Sequence, residues 1–252
     1  MNTDKAWTKW GAINPYFGVL SDPRYRKENI DNNRESFFDS GEIHVEELIE
    51  KIESAFSPVR RGRALDFGCG VGRLAIPLAR RFQDVVGIDI SKPMLSEAEK
   101  NSKNNDQRNV TFLESNDNLS NITGKYDLIN SYIVFQHIPA SRGIGIIRHL
   151  VSKVAEGGVV SIHVCLSQQG GRLRDVKGLL QNRVPGVNRL ANILRRRPMG
   201  EPVMEMNAYD FAAVAKVVAD AGFGPLLVET ELHGHFLTAT IMAVRQKIPS
   251  EI

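Results

Sequence analysis

Cysteine is scarce: Cys69 and Cys165 are the only two among 252 residues. That is too few for a disulfide framework or a four-cysteine zinc site, and both stand in segments that read as buried. Long apolar runs are also missing. No stretch reaches the roughly 18 consecutive apolar residues of a membrane span. The opening MNTDKAWTKW has neither the apolar stretch of a secretory signal nor an Arg/Ser-rich transit pattern, so the expected location is the cytoplasm. Internal repeats and low-complexity tracts are absent. Aromatics make up only 7% of the chain, but Trp7, Trp10, Tyr16, Phe17, Tyr25, Phe37 and Phe38 crowd into its first 40 residues. A disordered tail would be poor in them. What remains, 42% apolar against 24% charged, is the balance of one globular core with an elaboration.

The net charge of +3 is small but uneven. Between Arg172 and Arg197 stand eight cations and one acid, Asp175, so the rest of the chain is net negative. Such a patch either serves an acidic partner or forms a solvated face.

Hydrophobic periodicity divides the chain. Val45, Leu48, Ile49, Ile52 and Phe56 recur at helical spacing up to Pro58. Short apolar runs follow at Ala64 to Phe67, Val85 to Ile88, Val110 to Leu113, Tyr126 to Val134 and Gly158 to Leu166. Helical patterns over Leu74 to Phe82, Pro93 to Ser102 and Pro139 to Val154 separate them. Strands alternating with helices imply βαβ units and a parallel sheet. A helix over Asn207 to Ala221 precedes two last runs, Leu226 to Leu232 and Phe236 to Val244, joined through His233-Gly234-His235 as an antiparallel hairpin. The division expected is an aromatic arm or lid over 1–40, a core over 41–166, a basic insertion over 167–206, and a helix and hairpin over 207–252 that complete the core. The fold class is a doubly wound α/β, Rossmann-like sheet of seven strands in the order 3-2-1-4-5-7-6, with strand 7 antiparallel.

The chemistry centres on Asp66-Phe67-Gly68-Cys69-Gly70-Val71-Gly72, a strand that runs into a glycine turn and then a helix. Glycine permits positive φ there and lets a ligand lie on bare backbone. Dinucleotide-binding loops place the third glycine one residue later and set a pyrophosphate against the helix N-terminus. An acid at Asp66 would repel a pyrophosphate. S-adenosylmethionine carries an ammonium and a sulfonium instead, and an acid suits it. Asp89 ends the second strand, where a carboxylate can accept from both hydroxyls of a ribose.

These residues resemble the class I S-adenosylmethionine-dependent methyltransferases. Asp66, Gly68, Gly70 and Gly72 match the family's acid-x-Gly-x-Gly-x-Gly motif, and Asp89 matches the acid of its second strand. Tyr126 to Ile129 with Val134 to Ile138 resembles its fourth strand and following turn, and Ala155 to Gly158 the turn before its fifth. The resemblance covers about residues 62 to 166 and the final hairpin. It implies that S-adenosyl-L-methionine is the cofactor, with Ile90 and Asn130 also at its site. The family's usual aspartate after the third strand, which meets the adenine amino group, corresponds here to either Asn116 or Asp117.

Methyl transfer from a sulfonium neutralises charge, so alignment and exclusion of water are the protein's main tasks. An acceptor hydroxyl also benefits from a base, and His137, just after the fourth strand, is the candidate. The alternative for His137 is a hydrogen bond to the loop backbone. His163 lies mid-strand and either points into the site or fills a packed position. His233 and His235 read as polar turn residues, and His44 and His149 as solvent-facing or structural. No metal is expected, since no carboxylate set for magnesium is visible. Acceptor contacts are expected from Trp10, Tyr16, Tyr132, Gln136 and Arg195. The acceptor expected is a small molecule or glycan, anionic or lipid-linked, methylated on oxygen, with peripheral membrane contact through the basic insertion as one use of that segment. A nitrogen acceptor and a non-catalytic cofactor-binding protein are the alternatives. Nucleic acid is disfavoured, because the insertion has no aromatics on which bases could stack.

Overall fold

The computed structural model describes residues 3–168 and 200–246. Most of the basic insertion, Arg195 included, lies outside the described residues. Seven strands form one sheet in the order β3-β2-β1-β4-β5-β7-β6. They are β1 (Arg63–Phe67), β2 (Asp84–Asp89), β3 (Val110–Glu114), β4 (Tyr126–Ser131), β5 (Val154–Gln168), β6 (Phe223–His233) and β7 (Phe236–Arg245). Only β7 runs antiparallel, pairing with β5 and β6. The expected fold class and strand order are both found.

β1, near the centre of the sheet, has four of its five residues buried, because helices cover both faces. Leu65 and Phe67 point to one face, where they join Ile146, Ile147 and Leu150 of α6 (Ala140–Ser152) and Val214 and Val218 of α7 (Phe211–Asp220). Ala64 points to the other, with Val45, Leu48 and Ile52 of α3 (Arg34–Ala55) and Leu78 of α4 (Ala75–Ala79). Helix α3 begins earlier than its aliphatic period indicates, because Phe37 extends the buried stripe towards the N-terminus. Strand β4 ends sooner than its apolar run suggests. Ile133, at φ 60°, turns the chain out of the sheet ahead of a short 3₁₀ turn over Phe135–His137. A β-branched residue in the left-handed region is strained, and such strain collects where a loop must be aimed.

The N-terminal arm consists of α1 (Thr3–Ile13), α2 (Pro15–Val19) and two 3₁₀ turns. Its rings form a cluster of their own around Phe37, which is completely buried and takes edge contacts from Tyr16, Tyr25 and Phe38 at 5.1, 5.0 and 5.3 Å. The cluster rests on Val71 of the glycine turn and on Met94 of α5 (Lys92–Asn104). A polar tie runs beside it, from the Tyr16 hydroxyl to Glu97 Oε1 and Asn101 Oδ1, each 2.8 Å away. The arm is thus fastened to the glycine-turn end of the sheet.

Truncating Phe37 to Ala should lower the unfolding free energy by about 3–5 kcal/mol, the range for a fully buried aromatic. Both tryptophans of the chain lie on α1, so a denaturant titration followed by tryptophan fluorescence reads the arm directly.

Candidate active site

At the carboxyl ends of β1, β2 and β4 lies a cavity of about 770 Å³, the position at which open α/β sheets take ligands. Its floor is the glycine turn. Gly68, Gly70 and Gly72 have φ of 75°, 53° and 88°. A Cβ on Gly68 would run into Val134, and one on Gly70 would come within 2.5 Å of Val19. The strand-to-helix connection therefore offers bare backbone, pinned by Gly68 and Cys69 N–H groups that donate to the Ile88 carbonyl at 2.7 and 3.0 Å.

Asp89 anchors the opposite rim. Its Oδ2 accepts from the Gly70 N–H at 3.0 Å and its Oδ1 from the Ser91 N–H at 2.8 Å, and a carboxylate has further lone pairs with which it could accept from a ligand. Desolvation against the cavity wall pushes its carboxyl up to about 6, opposed by those backbone donors. Ile90 lies beside it on the wall. Asp66 is only 2% exposed and takes one hydrogen bond from Asn130 Nδ2 at 3.1 Å. Burial raises it to about 7. Asn130 Oδ1, also buried, has no hydrogen-bond partner among the described residues.

After β3 the two candidates part. Asn116 turns back on its own loop, accepting from the Ser120 N–H at 3.1 Å, whereas Asp117 lines the cavity together with Ser115. Arg142 of α6 grips Asp117 through Nε at 3.0 and 2.8 Å and reaches Asp4 of α1 through Nη1 at 2.6 Å. One guanidinium thus ties the cavity rim to the arm, in the fork geometry that suits two carboxylates.

His137 lines the cavity at 7% exposure, its Nδ1 lying 2.7 Å from the Glu205 carbonyl. That contact places the ring hydrogen on Nδ1 and leaves Nε2 as the acceptor, with Gln136 Nε2 3.3 Å away. Burial pulls the imidazole down to about 4, so it is neutral at ordinary pH.

The cavity brings together Gly68, Gly70, Asp89, Ile90, Asp117, Tyr132 and His137. Asp66, Gly72 and Asn130 lie behind it, and Gln136 is buried next to His137. Trp10 and Tyr16 are not on its wall: both are locked in the aromatic cluster of the arm. Trp7 is there instead, its ring 4.8 Å from His137, along with Asp4, Gly18 and Val19. Sequence reasoning could assign the arm to the site but not the face of α1 that it presents. Arg142 carried no signal, being one polar residue in an amphipathic helix.

His44, expected as solvent-facing or structural, is half-buried, and His163, expected in the site or in a packed position, is buried. They flank Tyr132, with ring centroids 4.0 and 4.9 Å from it. Among the described residues no group of three or more His, Cys, Asp or Glu side chains is disposed to hold a metal ion.

The family described as "Methyltransferase domain" matches residues 64–158, from the first residue of β1's buried run to the start of β5. Residues 64–158 are a methyltransferase domain. Magnesium protoporphyrin IX methyltransferase of Arabidopsis thaliana is 42% identical over 96 residues, 38% of this chain and 30% of that one. Magnesium-protoporphyrin O-methyltransferase of Synechocystis is 37% identical over 89 residues, 34% of this chain and 38% of that one. The chain thus spans about a third of the length of these curated relatives. The solved structure of magnesium protoporphyrin IX methyltransferase from Synechocystis with bound SAH superposes with a TM-score of 0.64 at 19% identity, covering 97% of this chain and all of that one. A methyltransferase structure from Clostridium acetobutylicum gives 0.57 at 17%, over 81% and 91%. The fold is that of the class I S-adenosylmethionine-dependent methyltransferases.

The residues of the methyltransferase domain fit S-adenosylmethionine. The bare glycine floor admits a ligand at van der Waals contact, Asp89 can accept from a ribose diol, and Asp66 suits a cationic amino-acid end.

Asp66 holds its proton more tightly folded than unfolded. Its effect on stability is therefore absent below pH 4 and grows more unfavourable as pH rises to about 7. Asp66→Asn removes that cost and should raise stability at pH 8 by about 1–3 kcal/mol while flattening the decline between pH 5 and 8. Urea titrations across that range check it.

Proposed function

We propose that this protein transfers the methyl group of S-adenosylmethionine to a hydroxyl oxygen of a small molecule. The observation that carries this reading is Asp89, fixed through both oxygens at the mouth of a cavity that has a bare glycine floor and a neutral imidazole on its wall. When bound, the cofactor supplies an electrophilic methyl carbon on a sulfonium, open to in-line displacement. The chain's own task is then to align an acceptor oxygen, keep water out, and take a proton. His137 Nε2, the ring's acceptor atom, would take the proton of an acceptor hydroxyl once the Gln136 amide, 3.3 Å away, yields that lone pair. The Glu205 carbonyl stabilises the imidazolium through Nδ1–H. Trp7 and Val19, carried by the arm, close the cavity against water.

Oxygen is favoured as the acceptor atom on two grounds. Several similar curated proteins are O-methyltransferases by name, including ubiquinone biosynthesis O-methyltransferase of Rickettsia canadensis, 28% identical over 120 residues, 48% of this chain and 50% of that one. Others are 23S rRNA uracil C5-methyltransferases, such as that of Pseudomonas putida, 34% identical over 68 residues, 27% of this chain and 15% of that one. Methylating an electron-poor ring carbon calls for a nucleophile to activate the ring. Both cysteines here are buried, and burial raises their thiols.

Asp89→Ala should weaken S-adenosylhomocysteine binding by about 1.5–3 kcal/mol with the fold intact, measured by calorimetry. Unchanged affinity would remove Asp89 from the site. His137→Gln should leave that affinity alone and lower turnover of a hydroxyl acceptor by about 10²-fold or more. In the unmodified protein kcat at saturating cofactor should fall only as pH drops towards about 4, where His137 becomes protonated, while cofactor affinity weakens earlier, as Asp89 gains its proton near 6. Turnover of extracts with a labelled methyl donor finds the acceptor, and a protein that binds the cofactor but labels nothing would be a sensing module.

A further inference from the structure

A second cavity, of about 590 Å³, opens on the face of the sheet beneath α3, between that helix and strands β5, β7 and β6. Its floor is polar where a doubly wound sheet is ordinarily apolar. Asp66, Asn130 and Ser161 stand in register across β1, β4 and β5, each at most 2% exposed. One step further towards the carboxyl ends, His163 of β5 pairs with Thr240 of β7, and Thr240 with Glu229 of β6. Ser161 and Thr240 line the cavity; His163, two residues beyond Ser161 and paired with Thr240, is buried behind that wall at 2% exposure, and neither ring nitrogen is hydrogen-bonded among the described residues. A buried imidazole with two idle nitrogens costs free energy that a sheet filled with valine would avoid.

Tyr132 joins this cavity to the first. It lines both, and its ring lies between His44 on the α3 side and His163 on the sheet. The second cavity is therefore one side chain away from the place where the cofactor would sit. Carboxylates outnumber cations around it: Glu47, Glu229 and Glu231 stand against Lys51, itself 3.0 Å from Glu229, and Arg73, 5.9 Å from the Tyr132 ring.

We propose that this cavity holds the body of the acceptor, and that the acceptor is a polyhydroxylated small molecule without net negative charge. The inference rests on the methyltransferase reading and adds the substrate class to it. The Tyr132 hydroxyl, Ser161 and Thr240 can each give or take a hydrogen bond, Thr238, whose hydroxyl donates to the Glu231 carbonyl, can accept one, His163 behind them has one donor and one acceptor, and the carboxylates favour hydroxyl or ammonium donors over anions. The acceptor hydroxyl would enter past Tyr132, and the rest of the molecule would lie under α3.

The test follows the histidine ring signals by NMR with S-adenosylhomocysteine present at saturation, using glucosamine and glucose 6-phosphate as probes. Calorimetry with S-adenosylhomocysteine on the same sample comes first. If that ligand fails to bind, the methyltransferase reading falls, independently of what the sugars do. Millimolar glucosamine is expected to move the His44 and His163 signals, and glucose 6-phosphate to leave them in place. His163→Phe, which keeps a ring in the position, should weaken glucosamine binding read at His44 by about tenfold, and Thr240→Val should weaken it in the same direction. The proposal is overturned if glucosamine moves neither signal, if the phosphate sugar binds as well as the amine, or if both variants bind glucosamine unchanged.

Discussion

Two backbone N–H groups, those of Gly70 and Ser91, meet on the carboxylate of Asp89, and the active end of the molecule is arranged around that contact. It fixes the glycine turn after β1 to the start of α5, and α5 is what the arm packs against. Gly11 of α1 lies so close to Ser91 and Met94 that a Cβ there would meet both. The Tyr16 hydroxyl is held by Glu97 and Asn101 on the same helix. Asp89 therefore aligns the floor of the cavity with the seat of its cover.

The carboxyl ends of the strands carry polar groups that the fold does not need. Asp66, Asn130, Ser161 and His163 are all buried, and Asn130 Oδ1 and both nitrogens of His163 lack hydrogen-bond partners among the described residues. A core built for stability alone would fill these positions with aliphatics. The opposite face, where Leu65, Ile129, Val160 and Ile162 meet α6 and α7, is built that way. On the α3 face the apolar packing of Ala64, Leu128 and Val159 gives way, two residues further along each strand, to these polar groups, and there stability is traded for chemistry. Ile133 at φ 60° belongs to the same trade, since it sets Tyr132 and Val134 into the cavity wall.

Arg142 gives the arm a second attachment, independent of the aromatic cluster. Its bonds to Asp117 and Asp4 span the rim from α6 to α1. The cluster is apolar and fully buried at Phe37, whereas the guanidinium is partly exposed, and its contacts weaken with salt more than ring packing does. The two attachments therefore answer differently to solution conditions, although both hold α1 over the cavity.

The sequence by itself determined the strand order, the hairpin, the glycine turn, and Asp66 and Asp89 as its acids. These follow from local signals: apolar runs of strand length, glycines that need positive φ, and an acid at the end of a strand. Tertiary structure alone decided which ring of the arm faces the site. Trp7 and Trp10 lie three residues apart on one helix, and only the docking of α1 on α5 turns the first to His137 and buries the second against Phe17. It also set Asp117 rather than Asn116 on the cavity wall, where Asp117 meets Arg142, a residue 25 positions away. The group of His44, Tyr132 and His163 was equally hidden, because its members lie on a helix, a loop and a strand far apart in the chain. Periodicity shows which face of an element is buried, but not what it is buried against.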